Sequence, residues 1–166
     1  RKLALVVAAL LAPATALADK ADTVQKLVQT DKHDAARDKC DKWGAVTITD
    51  DPALREACAQ ADWPTAERQD TVVAWRQYRD TWKGTEWADV ALAREAESAL
   101  KAVGPRAPEG DLLEQAEWYR ATPTTDRFRA LAADAAVRDA NSAGEAVGVA
   151  ERYPGHPQLW KLVERF

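Results

Sequence analysis

The chain has 166 residues, with 23 Lys and Arg against 27 Asp and Glu and a formal net charge of −4. That length holds one domain with a modest core. The acidic balance excludes the basic footprint of a nucleic-acid binder and the polybasic segment that anchors a chain on anionic lipid.

At the amino end, Arg1 and Lys2 precede the apolar run "LALVVAALLA" and then "PATALA". A basic start, a short apolar stretch and small residues at Ala16 and Ala18 are the parts of a secretory signal peptide. The expectation is a signal peptide over 1–18, cleavage before Asp19, and a mature domain over 19–166 with no integral membrane span. Removing 1–18 leaves 21 cations against 27 carboxylates, a net charge of −6. Export to the periplasm or medium follows from that reading.

Past Asp19 the periodicity is helical almost throughout. "DKHDAARDKCDK" alternates charges in the manner of a solvated helix face, with Ala36 and Trp43 seven residues apart. The β-branched run "AVTIT", Ala45 to Thr49, lies between Gly44 and Asp50-Asp51-Pro52 and reads as an extended loop, since a lone strand has no partner. Asp51 before Pro52 is a strong helix start: the carboxylate accepts from free N–H groups, and proline at the first helical position loses no hydrogen bond. Thr85, Thr122 before Pro123, and His156 before Pro157 are the corresponding later starts.

These four caps are spaced by 34, 37 and 34 residues. Trp82, Tyr119 and Tyr153 each lie three residues before a cap and close the preceding helix. A second break falls within each unit, at Trp63-Pro64-Thr65, at "VGPRAPEG" and at Asn141-Ser142. Asp111 with Glu114 and Ser142 with Glu145 have the spacing of a capping box, so a helix is expected to start at each. The repeating unit is then an antiparallel pair of helices about 34 residues long, the period of tetratricopeptide-type arrays. The full expectation is an amino-terminal helical pair, three hairpins and a terminal helix.

"AVGVAERYPGHP" resembles the end of a tetratricopeptide repeat: Ala146 and Ala150 stand where small residues let helices approach, and Tyr153-Pro154 resembles the pair preceding the next hairpin in exported bacterial members. "YRDTWKGTEWADVA" follows the pattern with Trp82-Lys83 in place of Tyr-Pro. The Trp-x-x-Leu-Gly-x-x-Tyr opening of such repeats is missing from every unit. The resemblance implies an all-α fold of hairpins stacked as a short right-handed solenoid, whose first helices line a surface for protein or peptide partners. An irregular helical bundle is the alternative arrangement.

No GxxxxGK[ST], GxSxG, HExxH or CxxC occurs, and the expectation is a protein with no enzymatic activity and no cofactor. Cys40 and Cys58 are expected to pair as a disulfide in an exported chain; His33, seven residues before Cys40, leaves zinc ligation by the three as an alternative. Counting along the first helix of each unit away from its apolar stripe selects Glu56, Arg94, Glu97, Arg127 and Asp134 as the partner-binding face. The functional expectation is a protein–protein interaction scaffold of the cell envelope. Seven tryptophans supply the competing reading: if Trp63, Trp118 and Trp160 share one exposed surface, they suit a glycan-binding module.

Overall fold

The computed structural model describes residues 12–166, with side chains from Asp19 onward. The expected signal peptide lies outside the described residues over 1–11, and over 12–18 only backbone is described. Among the described residues there are nine helices and no strand: α1 Ala12–Gln29, α2 His33–Thr49, α3 Pro52–Gln69, α4 Val72–Thr81, α5 Glu86–Lys101, α6 Glu109–Trp118, α7 Thr125–Asp139, α8 Ala143–Arg152 and α9 Trp160–Arg165. No described helix is long and apolar enough to cross a membrane. The chain divides into two compact units, residues 1–94 and 95–166.

In the first unit, α1, α2 and α3 pack mutually, and α4 lies on α3. Asp51 starts α3 as its sequence requires: its side chain accepts from the N–H groups of Ala53 and Leu54, with proline at the first helical position. Small residues allow the close approach, since Ala36, Ala57, Ala59, Ala61 and Ala91 are all buried beside Leu54 and Val24. Cys40 of α2 and Cys58 of α3 form the expected disulfide, with Cα atoms 5.9 Å apart. The Arg37 guanidinium reaches Thr65 on the same pair of helices, so residue numbers rise along one as they fall along the other. α2 and α3 are therefore antiparallel.

Two readings of this region change. "AVTIT" is helical rather than extended: α2 breaks at Gly44 (φ 75°, ψ 159°), a backbone that favours glycine, and resumes so that Ile48 is buried. The tertiary contact of Ile48 overrides the β propensity of its neighbours. Nor does Trp63-Pro64-Thr65 divide a hairpin, because α3 runs through Pro64 unbroken. The break comes at Asp70, left-handed at φ 42°, followed by Thr71, whose hydroxyl accepts from the Ala74 N–H. Asp70 also accepts from the Trp75 indole N–H at 3.0 Å, which offsets the cost of roughly 1 kcal/mol for that backbone in a residue other than glycine.

The aromatics of this unit form its centre. Trp63 has ring centroids 4.7 Å from Trp75, 5.4 Å from Tyr78 and 5.0 Å from Trp87. Tyr78 donates to the Ala59 carbonyl at 2.6 Å, and Trp82 donates its indole N–H to Asp62 at 3.0 Å. Arg55 near the start of α3 donates to the carbonyls of Thr81, the last residue of α4, and of Lys83 just beyond it. That contact satisfies groups a helix end leaves open and makes α3 and α4 an antiparallel pair.

In the second unit α6 and α7 pack closely and α8 lies on α7. Tyr119 stacks on Phe128 at 5.8 Å and its hydroxyl donates to the fully buried Glu95. Two starts shift here. Thr122 does not cap α7, since its hydroxyl donates to the Tyr119 carbonyl and Thr124 precedes the helix; α6 begins at Glu109, two residues before Asp111. At α8, Ser142 accepts from the Glu145 N–H as expected, but Glu145 reaches back to the Asn141 N–H rather than that of Ser142. "VGPRAPEG" and Asn141-Ser142 are breaks as read.

Candidate binding groove

One concave feature lies wholly in the second unit. It is an open groove of about 850 Å³ that follows one stripe of α7 from its first turn to its last: Arg127, Ala130, Leu131, Asp134, Val137 and Arg138. Their spacing of i, i+3, i+4, i+7, i+10 and i+11 is one face of a helix. Leu100 and Val103 from the end of α5 and the following loop supply an apolar wall. Lys161 and Arg165 of α9 line the same groove.

Four cations thus face one carboxylate, in a chain whose net charge is −4. The four differ in what already holds them. Arg127 is exposed and its side chain has no partner among the described residues. Lys161 donates to Gln158 Oε1 at 2.6 Å, and Gln158 in turn donates to Asp134. Arg165 donates to the carbonyls of Val137 and Ala140 at 3.3 and 2.9 Å, so it sits at the end of α7, where a cation is favoured by the helix dipole. Arg138 is neutralised by Asp139, with two contacts of 2.7 Å, and holds the carbonyls of Pro105 and Ala107. The guanidinium hydrogen bond keeps the Asp139 carboxyl below its ordinary range and raises Arg138.

Asp134 is positioned from the turn before α9. His156 lies with Nε2 at 3.5 Å from Asp134 Oδ1, and its Nδ1 faces the Gln158 N–H at 3.4 Å. His156 therefore does not cap the last helix as expected: α9 starts at Trp160 after Leu159, and Pro157 lies in the preceding turn. Elsewhere in the unit, Tyr153 donates to Glu109 at 2.6 Å, and Arg152 donates to the other oxygen at 3.2 Å. Burial first, then the bond to Glu109, pushes the Tyr153 phenol up to about 12.

Of the residues selected from sequence, Arg127 and Asp134 meet in this groove and the other three do not line it. Glu56 is half-buried and accepts from the Glu86 N–H at 3.2 Å, an anchor for the start of α5. Arg94 is exposed, 4.0 Å from Glu67, and Glu97 is exposed. Lys161 and Arg165 were not legible as site residues, because they reach α7 only through the fold of the segment after α8. Trp63 belongs to the aromatic centre of the first unit, so the three-tryptophan surface does not form; Trp118 and Trp160 are exposed at 58% and 55%. The disulfide also removes both thiolates from the zinc alternative. No family model matches the chain, and neither a curated protein nor a solved structure does.

Proposed function

We propose that this chain is a non-enzymatic protein-interaction module of the bacterial cell envelope and that the α7 groove is its peptide-binding surface. The groove carries the reading: an apolar wall beside cations spaced from the first turn of α7 to its last offers both burial and register to a peptide. The buried disulfide supports an exported, periplasmic or secreted location, where such bonds persist. We place the helices in a tetratricopeptide-like right-handed solenoid extending over a single domain, 19–166. Support comes from alternating lengths of 18 and 10, 16 and 10, and 15 and 10 residues over α3 to α8, with Trp82, Tyr119 and Tyr153 each at the end of a ten-residue helix. The exposed Trp118 and Trp160 favour glycan binding as the second reading.

Affinity capture from envelope extract, using the chain and its Arg94→Ala and Arg127→Ala variants, tests the proposal against sedimentation with purified cell-wall glycan. Partners that Arg127→Ala loses support the groove. Capture unchanged by Arg127→Ala, together with glycan binding that Trp160→Ala abolishes, sinks it in favour of the second reading.

A further inference from the structure

Resting on the reading of the α7 groove as a peptide surface, the charge placement along it restricts the occupant. Arg127 stands in the first turn of α7, and Arg165 is tied to the carbonyls of Val137 and Ala140 at the last. From position 127 to 137 the helix rises by about 15 Å at 1.5 Å per residue. Between the two cations lie Ala130 and Leu131, facing the apolar wall of Leu100 and Val103. Asp134 lies there too, but Gln158 and His156 already engage it, and the Lys161 ammonium stands beside Gln158.

An extended peptide advances roughly 3.3 Å per residue and turns alternate side chains to the same face. About 15 Å is then four to five steps, and residues i, i+2 and i+4 point into the groove together. We propose that the groove binds an extended acidic segment, with carboxylates at i and i+4 meeting Arg127 and Arg165 and an apolar side chain at i+2 against Leu131. An amphiphile with one anionic head engages one end only and leaves the other cation without a counter-charge. A basic segment meets cations at both ends. Arg138, already neutralised by Asp139, closes the wall of the groove.

The test is fluorescence polarisation with a labelled heptapeptide carrying glutamate at its second and sixth positions, leucine at its fourth and serine elsewhere. It is paired with selection of a random heptapeptide library on the full chain. Three companion peptides replace both glutamates by lysine, replace the leucine by serine, or move the second glutamate to the fifth position. Arg127→Glu and Lys161→Glu alter the charge at exposed positions, while Ala130→Trp fills the groove with no change of charge. The expected result is binding of the acidic peptide that weakens about tenfold or more in Arg127→Glu, in Ala130→Trp and with each companion peptide.

Equal binding of the lysine peptide, or an acidic peptide indifferent to Arg127→Glu, overturns the proposal. Library peptides that lose binding to Ala130→Trp but lack paired acids leave the groove reading standing and sink the acidic segment. Peptides indifferent to every variant, or none selected at all, sink both. Decanoate that displaces the acidic peptide from the chain but not from Arg127→Glu, and binds tighter than it, overturns the proposal in favour of an amphiphile.

Discussion

Breaking the Cys40–Cys58 bond should loosen the first unit by an amount the chain length sets. The cysteines are 18 apart in sequence, and closing a loop of that size removes unfolded-state entropy worth about 3 kcal/mol at 25 °C. Both sulfurs are buried, on helices that α1 also contacts, so the bond staples the α1–α2–α3 packing rather than a surface loop. In a domain of this size about 3 kcal/mol corresponds to a fall in melting temperature of roughly 6 to 12 °C. Thermal unfolding followed by tryptophan fluorescence is the direct assay, because Trp43, Trp63, Trp75, Trp82 and Trp87 belong to the first unit. The oxidised chain, the reduced chain and the Cys40→Ala/Cys58→Ala variant are compared. Hydrogen exchange adds location: protection should fall over α1 to α3 before it falls over α7. A reduced chain melting within ~2 °C of the oxidised one, less than 1 kcal/mol on the same scale, would refute the argument that this staple constrains the unfolded chain.

Two further outcomes follow from the aromatic groups. Trp75 is 1% exposed, packs on Trp63 and donates to Asp70, so Trp75→Ala should cost about 3 to 5 kcal/mol in urea unfolding, with a loss under ~1 kcal/mol contradicting its central place. Burial first, and then the charges of Asp62 and Glu56, raise the Tyr78 phenol well above its ordinary value, and Tyr153 is pushed up to about 12. A folded-state value raised above the unfolded one of ~10 means that the stability these phenols contribute is intact below that pH and is lost as pH rises above it. Ultraviolet titration of the folded chain should leave both protonated at pH ~10.5, and Tyr153→Phe should remove a step near the upper value; an ionised Tyr78 in still-folded protein at that pH contradicts the assignment.

Signals carried by neighbouring residues were readable and those carried by distant ones were not. Asp51 with Pro52 announces α3 because cap and proline act on backbone groups within three residues of themselves. The aromatics at 82, 119 and 153 mark helix ends in the sequence by their near-even spacing, although their side chains are held by the distant partners Asp62, Glu95 and Glu109. Trp63-Pro64-Thr65 misleads because proline normally ends a helix, while here the packing of Trp63 on Trp75 and Trp87 and the contact of Thr65 with Arg37 hold α3 together across it. Asp70-Thr71 was the better mark, a residue tolerant of left-handed backbone followed by a capping hydroxyl.

The groove divides in the same way. Arg127 and Asp134 are seven residues apart on one helix, and helical spacing alone places them on one side. Lys161 and Arg165 come to that side because Gln158 bonds Asp134 and Arg165 bonds the last carbonyls of α7, contacts across 24 to 28 positions that no local pattern encodes. Glu56 shows the converse. Its spacing from Asp51 matched the rule, yet the start of α5 folds against it and turns a surface carboxylate into an acceptor for the Glu86 N–H. A helix face identified from sequence is open to a partner only where the rest of the chain leaves it uncovered. For α7 that condition holds at Arg127, Ala130 and Arg138, while Leu131 and Asp134 are only partly open and Val137 is buried, so the charge pattern of these positions rather than their place in a repeat is what an occupant of the proposed groove would have to match.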